Sequence, residues 1–386
     1  MRIAMIGQRG VPATFGGIER HVEELGAQLA GLGHAVTVYC RTNYVEGSPA
    51  EYRGMQLRYS PSVDSKHFDA ISHSLVCTLA ALPQHFDIVH FHALGPGLVA
   101  PVPRYVSRAK VVQTAHGRDE QRGKWGPLAR TVLGTARWMS ARVPDATIAV
   151  SHDLVDFYAT RYHRRADYIP NGVVAPVPRP PSETLQRLGL APRKYVLFVG
   201  RLVPEKAPDL LIRAFADLPG DLRLAIVGGS SHTTAYVGQL EALAADDPRV
   251  ALVGYQYGDA LDELYSNALA FALPSSLEGL PITLLEAGAS GLPIVASDIA
   301  PHLEILGPDD RPGRRLFSAN HREELVAALG RVLSDPAGER RAAEAFIDEV
   351  VSTYRWDETA SRTVEVYRRV LGSVDSDSAK FARATE

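Results

Sequence analysis

The sequence predicts an α/β protein made of two doubly wound, Rossmann-like halves that face each other across a cleft. Short apolar runs alternate with helix-length amphipathic stretches, this alternation recurs in both halves, and a proline-rich stretch separates the halves. The predicted N-terminal strands are Arg2–Ile6, Ala35–Tyr39, Asp87–Phe91, Lys110–Ala115 and Thr147–Val150. The predicted C-terminal strands are Tyr195–Val199, Arg223–Val227, Val250–Val253, Ala270–Leu273 and Ile294–Ala296.

The prolines set the expected domain limits. A stiff, extended linker is predicted over residues 176–193, which contain Pro176, Pro178, Pro180, Pro181 and Pro192. We expect an N-terminal domain over 1–175, a C-terminal domain over 194–355, a helix over 356–372 that crosses back to the N-terminal domain, and a disordered tail over 373–386. The cleft between the domains is the expected ligand site.

The first predicted strand leads into a glycine loop, GQRGVPATFGG, at residues 7–17, and a helix predicted over Ile18–Leu32 follows. Gly16 and Gly17 allow a ligand to approach the backbone closely at a helix N-terminus. The loop is not GxGxxG, and Cys40 and Arg41 end the second strand where a nicotinamide site has an acidic residue. It is not GxxxxGK[ST] either, which excludes a nucleoside-triphosphatase loop.

Two cations follow the first C-terminal strand, in GRLVPEK at Gly200–Lys206. Ligands of open α/β sheets bind outside the carboxyl ends of the strands, so Arg201 and Lys206 are placed to hold two phosphates. A solvated basic loop is the alternative interpretation.

Two glutamates stand eight residues apart around a Gly-Leu-Pro turn, within LPSSLEGLPITLLEAGASG. Pro281 suits a first helical turn, which puts Glu278 in the preceding loop and Glu286 about a turn and a half inside the helix. Glu278 can then accept hydrogen bonds from sugar hydroxyls and Glu286 from a ribose. The free N–H groups at the helix start, for which we name Gly279, Leu280 and Ile282, face an anion such as a diphosphate. The alternative is that Glu278 caps the helix and Glu286 is solvated.

Histidines provide one candidate site residue. His116 ends the fourth predicted strand just before Gly117, where it can bind a donor-sugar hydroxyl or be a satisfied core histidine. His90 and His92 share a strand face, but no third ligand lies within sequence reach, so no metal site is predicted. Asp375 and Asp377 imitate a DxD metal motif, but they lie in the predicted tail and are expected to bind nothing.

Charge is unevenly divided. The first 180 residues carry 20 Lys and Arg against 14 Asp and Glu, a net +6, and the remainder carries 21 against 30, a net −9. The segment 118–142 is the most basic and can rest on an anionic membrane, or it is an ordinary amphipathic helix. A mildly acidic chain without an interleaved aromatic motif does not predict nucleic-acid binding.

Two isolated cysteines, Cys40 and Cys77, fit a reducing compartment. The chain begins directly with a strand and has no apolar run of bilayer length. The expected location is therefore cytoplasmic, with peripheral contact at the inner face of the membrane as an option through segment 118–142.

Taken together, these motifs resemble glycosyltransferase family 4, the retaining, nucleotide-sugar-dependent enzymes of the GT-B fold. The resemblance also rests on GGIERHVEEL, GHAVTVY, the pair His116–Gly117, VSHD at 150–153 and IPNGV at 169–173. It implies that Glu286 holds the ribose, that Arg201 and Lys206 neutralise the leaving diphosphate, and that Gly17 contacts phosphate from the opposite domain. It also implies that Glu278 and His116 touch the transferred sugar. Pro281 departs from the glycine common in the family and supplies no N–H, which leaves the sugar's identity open.

The expected activity is retaining transfer of a sugar from a nucleoside-diphosphate sugar to a hydroxyl of a sugar, a lipid-linked compound or a small molecule. A place in cell-surface polysaccharide or glycoconjugate biosynthesis is plausible. The reaction is expected to need no cofactor and no metal. Two alternatives stay open: a sugar-nucleotide epimerase of the same architecture, and a non-catalytic nucleotide-sugar-binding partner, which the retention of both cations and both glutamates disfavours.

Overall fold

A computed structural model describes residues 1–14, 16–42, 44, 47–62, 69–118, 134–135, 138–229 and 234–372. The N-terminal sheet has the strand order β3-β4-β2-β1-β5-β6-β7-β8, and only β3 runs antiparallel to its neighbour. Its strands are β1 (Arg2–Ile6), β2 (Ala35–Arg41), β3 (Glu51–Tyr52), β4 (Met55–Ser60), β5 (Ile88–His92), β6 (Lys110–Ala115), β7 (Ala146–Ala149) and β8 (Asp167–Tyr168).

The C-terminal sheet is entirely parallel, in the order β11-β10-β9-β12-β13-β14. Its strands are β9 (Tyr195–Val199), β10 (Arg223–Val227), β11 (Val250–Gly254), β12 (Ala270–Leu273), β13 (Ile294–Ser297) and β14 (Arg314–Phe317). The interior strands are apolar and fully buried, as expected for a parallel sheet covered by helices on both faces.

Helices connect the strands in both halves. Those of the N-terminal half are α1 (Gly17–Gly31), α2 (Asp69–Ala81), α3 (Pro101–Val106) and α4 (His152–Tyr162). The C-terminal half contains α5 (Glu183–Arg187), α6 (Pro208–Ala216), α7 (Thr234–Ala245), α8 (Gly258–Asn267), α9 (Ile282–Ala289) and α10 (Ala300–Leu306). The last four are α11 (Arg322–Ser334), α12 (Pro336–Glu344), α13 (Ile347–Thr353) and α14 (Trp356–Leu371).

The predicted fold class is confirmed, and all ten predicted strands are present within two residues of their predicted ends. The sequence did not predict β3, β4, β8 and β14. These strands form or adjoin the edges of the two sheets. Edge strands carry polar residues on their open side, as in RRLF of β14, so they lack the apolar run that reveals an interior strand.

The prediction of an extended linker over 176–193 is wrong for part of its length. Helix α5 lies within it, and the Ser182 side chain caps this helix by accepting a hydrogen bond from the Thr184 N–H at 3.2 Å. Leu185 and Leu190 are buried in the core of the C-terminal half. Two leucines at these positions outweigh the flanking prolines because burying them stabilises a folded turn of helix.

Helix α14 packs against α1 of the N-terminal half, and it buries Trp356, Ala360 and Tyr367 there. Its chain therefore crosses from the C-terminal half back to the N-terminal one. The segment that leaves the N-terminal half and the segment that returns to it lie side by side. The Val173 N–H of the first donates to the Tyr354 carbonyl of the second at 2.8 Å. The domain limits at 175, 193 and 355 stay predictions.

Among the described residues, no helix is both long and apolar enough to cross a bilayer. The predicted tail with Asp375 and Asp377, and most of the basic segment 118–142, lie outside the described residues. The predictions made for them therefore stay predictions.

Candidate active site

The residues selected from the sequence gather where the two halves meet. His116 and Gly117 follow β6, and Gly279 lies in the loop 274–281 between β12 and α9. A methyl group added at Gly279 would stand 2.7 Å from the His116 carbonyl carbon and 3.3 Å from the Gly117 nitrogen. The strand end of one half therefore touches the loop 274–281 of the other, and the cleft is closed at this point.

Lys206 and Glu278 form an ion pair in this cleft. The Lys206 Nζ donates to Glu278 Oε1, and the Ser275 hydroxyl donates to the same oxygen at 2.8 Å. The Ser276 N–H donates to the Glu205 carbonyl at 2.9 Å, which joins the turn after β9 to the loop after β12. Burial raises the pKa of Glu278, but the Lys206 charge and these hydrogen bonds outweigh it, so the pKa lies below the usual glutamate range. Glu278 is therefore an ionised acceptor at neutral pH.

Arg201 follows β9 and Arg9 lies in the glycine loop, and the charges of both act on Tyr255. Burial raises the pKa of the Tyr255 phenol, and the charges of Arg9 and Arg201 both act to lower it. Tyr255 lies beside Tyr257, with ring centroids 5.9 Å apart and planes 13° apart. Two cations from different halves thus act on one point of the cleft, an arrangement suited to a polyanionic ligand.

Glu286 lies inside α9 and is partly buried. The Tyr265 hydroxyl donates to Glu286 Oε2 at 3.0 Å. Burial raises the pKa of Glu286 to about 7, against the lowering effects of the Arg20 charge and the Tyr265 hydrogen bond. Arg20 belongs to α1, so the positive charge with the largest lowering effect on the pKa of this carboxylate comes from the N-terminal half. The interpretation of Glu286 as a merely solvated helix residue is not supported.

The two glycines before α1 differ in their constraints. Gly16 has φ 99°, which favours glycine, and a side chain there would collide with the Glu19 carboxylate. Gly17 is exposed, and a methyl group added to it would meet no atom of the described residues within 4 Å. The space in front of Gly17 is therefore free to receive a ligand group.

Helix α9 begins one residue later than predicted. Pro281 is its N-cap, with φ −73° and ψ 114°, and Ile282 is the first helical residue. Among the described residues no side chain caps this helix, so Glu278 is not a helix cap. The binding role given to Gly279, Leu280 and Ile282 stays a prediction.

His116 is part of a buried histidine cluster. Its Nε2 lies 3.3 Å from His92 Nδ1, and its ring is edge-on to that of His21, with centroids 4.6 Å apart. One ring nitrogen of each of these three lies within 4.8 Å of the others. No third ligand lies near His90 and His92 in sequence, but α1 and the end of β6 bring His21 and His116 to His92 in space. His90 is not part of this set.

Asn171, from IPNGV, joins this cluster to the opposite loop. Its Nδ2 donates to the Leu280 carbonyl at 2.7 Å, and its Oδ1 lies 2.8 Å from His21 Nδ1. A single buried amide thus contacts α1 on one side and the loop 274–281 on the other.

Comparison with known proteins identifies the family. The model described as Glycosyltransferase Family 4 matches residues 15–175, and that described as Glycosyl transferases group 1 matches residues 183–348. A D-inositol 3-phosphate glycosyltransferase of Nocardia farcinica is 31% identical over 310 residues, which cover 75% of this chain and 68% of the relative. The chain belongs to glycosyltransferase family 4.

Other similar proteins span nearly the whole of this family 4 glycosyltransferase. The α-maltose-1-phosphate synthase of Mycobacterium tuberculosis is 26% identical, over 96% of this chain and 100% of the relative. The solved structure of a sucrose-phosphate synthase from Thermosynechococcus elongatus has a TM-score of 0.82 at 22% identity, over 97% of this chain and 100% of that one. The protein is thus a glycosyltransferase of the GT-B fold.

Four residues that act on the candidate site residues were not selected from the sequence: Arg9, Arg20, Asn171 and Tyr255. Arg9 and Arg20 flank the two glycines of the glycine loop, so a basic residue on each side was a usable signal. Asn171 stands in the quoted motif IPNGV but was given no role. Tyr255 follows β11 at the same sheet edge as Arg201, and only the strand order β11-β10-β9 reveals that proximity.

Proposed function

We propose that this enzyme transfers a sugar with retention of anomeric configuration, and that Arg201, Lys206 and the N–H groups at the start of α9 stabilise the leaving diphosphate. The observation that carries this proposal is the joining of the two strand-end turns. The Lys206–Glu278 pair holds a cation beside the carboxylate to which we assign the donor sugar. Charge stabilisation by such preorganised groups is a large catalytic effect.

The carboxylates of the site have roles other than nucleophilic attack. Glu278 is bound to Lys206 and Ser275, and Glu286 to Tyr265. Retention then follows from attack by the acceptor hydroxyl on the face that the diphosphate leaves, with a leaving phosphate oxygen as the base. Glu278 accepts a hydrogen bond from the donor sugar, His116 contacts the same sugar, and Glu286 accepts hydrogen bonds from the ribose.

Closure of the cleft supports transfer over hydrolysis. Gly279 touches the backbone at His116, and Asn171 ties Leu280 to His21. Contact at these two points excludes water from the reacting centre and strengthens its electrostatic interactions.

The acceptor, the role in polysaccharide or glycoconjugate synthesis and the membrane contact are finer proposals. The two named relatives differ in the products or acceptors that their names state, so they support a hydroxyl acceptor and leave its identity to experiment. The net +6 of the first 180 residues supports an anionic acceptor or an anionic membrane surface near the N-terminal half. The transfer is proposed to need no metal, because Arg201 and Lys206 neutralise the diphosphate.

Two measurements test the proposal. Consumption of nucleoside-diphosphate sugars, with and without an acceptor extract, should show acceptor-dependent release of diphosphate. Release of an altered sugar without acceptor would identify an epimerase, and no consumption would identify a non-catalytic binding partner.

Calorimetry with free nucleoside diphosphate and with intact donor tests the division of roles. Glu286→Ala should weaken binding of both ligands by about 1.5–3 kcal/mol, because the ribose is common to both. Glu278→Ala should spare the diphosphate and weaken the intact donor. Equal losses for both ligands in both variants would refute the assignment.

A further inference from the structure

We infer that His21, His92 and His116 form a binding site for a borderline transition-metal cation such as Zn²⁺, and that the bound cation inhibits sugar transfer. The inhibitory part rests on the proposed function, since it assumes that His116 contacts the donor sugar. The binding part rests on the geometry of the histidines alone.

Three separate elements bring the imidazoles together: α1, β5 and the end of β6. The register that pairs His92 with Thr114 places His116 two residues farther along the neighbouring strand. His92 Nδ1 and His116 Nε2 lie 3.3 Å apart. Two nitrogens bound to one tetrahedral Zn²⁺ at about 2.0–2.1 Å are separated by roughly 3.4 Å, so this pair already has ligand spacing.

His21 is held in the tautomer that a third ligand requires. The Nδ2 of Asn171 donates to the Leu280 carbonyl, so its Oδ1 is the atom that faces His21 and accepts a hydrogen bond from Nδ1–H. The Nε2 of His21 then carries a lone pair. A ligating histidine commonly donates its other N–H to a carbonyl oxygen in this way.

One ligand nitrogen of the cluster is buried without a hydrogen-bond partner among the described residues. It is Nε2 of His21, whose side chain is 2% exposed. Buried polar nitrogens are normally satisfied, so this nitrogen marks a place where a partner is missing from the protein's own contacts.

His90 provides a matched control within the same cluster. Its ring centroid is 4.2 Å from that of His92, yet both of its nitrogens have partners. Nδ1 lies 2.7 Å from the Tyr367 hydroxyl, and Nε2 lies 2.7 Å from Thr114 Oγ1. His90 is therefore a buried neighbour without a free lone pair for a metal.

Three histidines leave a fourth tetrahedral position for water or another ligand. His116 is the most exposed of the three and borders the cleft, so that position faces the region of the donor sugar. A bound cation would occupy the His116 nitrogen that the sugar needs. Gly279 lies against the backbone of His116 where the two halves meet, and we expect the cation to enter when the halves separate.

The test uses Co²⁺ as a spectroscopic probe of tetrahedral nitrogen ligation, added in substoichiometric amounts to the full chain without donor. Wild type and His90→Gln should bind one Co²⁺ per chain with a tetrahedral spectrum, and Zn²⁺ should displace it. His21→Gln and His116→Gln should raise the Kd at least about tenfold, since each removes one ligand. Thermal unfolding confirms that each variant is folded. If His21→Gln is unstable, His116→Gln alone tests the site, because His116 lies at a partly exposed strand end.

The absence of a tetrahedral spectrum in wild type would overturn the proposal. Wild-type affinity for Co²⁺ in His21→Gln and His116→Gln would also overturn it. So would a loss of affinity in His90→Gln as large as in those two variants. In a separate measurement, Zn²⁺ should reduce transfer competitively with the donor, and EDTA should restore it. Tight binding without inhibition would overturn the inhibitory part alone, and an inactive enzyme that still binds Co²⁺ would contradict the proposed function without affecting the metal site.

Discussion

Replacement of Gly279 by alanine tests whether the closed cleft is the reactive state. The φ of Gly279 lies outside the left-handed region, so its own backbone accepts alanine without strain. In the closed structure, however, the new methyl carbon would lie 2.7 Å from the carbonyl carbon of His116. Since non-bonded carbons pack at about 3.5–4.0 Å, the two halves must separate by about 1 Å at this contact. Misplacement on this scale costs about 10²-fold in rate, or about 2.7 kcal/mol of transition-state stabilisation.

Steady-state kinetics and calorimetry measure this effect together. The expected result for Gly279→Ala is a kcat/KM about 100-fold below wild type, with the affinity for free nucleoside diphosphate and the melting temperature unchanged. Gly330→Ala is the control, because Gly330 lies inside α11 and a methyl group there meets no atom within 4 Å. It should retain full activity and gain up to about 1 kcal/mol of stability. Activity of Gly279→Ala within about twofold of wild type would refute the claim that this contact forms during catalysis.

Three other changes have defined outcomes. Lys206→Ala should lower turnover about 10²–10³-fold and cost about 3 kcal/mol of stability, because Glu278 is left buried without its cation. Adding Glu278→Gln should restore stability in denaturant unfolding but should not restore turnover. Wild-type turnover in Lys206→Ala would contradict the assignment of Lys206 to the diphosphate. The pKa of about 7 at Glu286 means that the folded protein holds this proton more strongly than the unfolded chain, so stability is lost as pH rises from about 4.5 through 7. Unfolding at pH 5 and pH 8 should show this loss in wild type and not in Glu286→Gln, while nucleotide affinity should rise over the same interval. Transfer should survive excess EDTA and deletion of residues 373–386, and restoration of a chelated enzyme by magnesium or manganese would contradict the metal-free mechanism.

The interior of both sheets was accessible to sequence analysis because burial on both faces forces continuous apolar runs. Tyr195–Val199 and Arg223–Val227 were predicted to the residue for this reason. Four strands at or beside the sheet edges were not predicted, since β4 alternates buried and exposed residues and β14 begins with two arginines. The same asymmetry explains the linker: its prolines are visible in the sequence, but the burial of Leu185 and Leu190 depends on a distant surface.

The residues of the candidate site also differ in whether the sequence alone could indicate them. Arg201, Lys206 and Glu278 were found because strand-end position alone indicates a ligand role in an open α/β sheet. Their partnership was not, because the ion pair of Lys206 with Glu278 joins turns that lie far apart in the chain. The convergence of His21 on His92 and His116 depends on how α1 packs over the sheet, which no local pattern records.

The side-by-side crossings at Val173 and Tyr354 have a consequence for how the chain can be divided into parts. Helix α14 is last in sequence, yet its buried face completes the N-terminal core around Tyr367 and Ala360. A fragment ending near residue 175 would expose the apolar surface of α1 that α14 covers, and it would be prone to aggregation. In chimeras with related enzymes, residues 356–371 should therefore be taken from the same parent as the N-terminal half. Replacing everything after residue 193 as one module would pack a foreign α14 against this surface of α1. The parts of this molecule that can be exchanged as units are therefore set by the packing of α14 and not by the order of the chain.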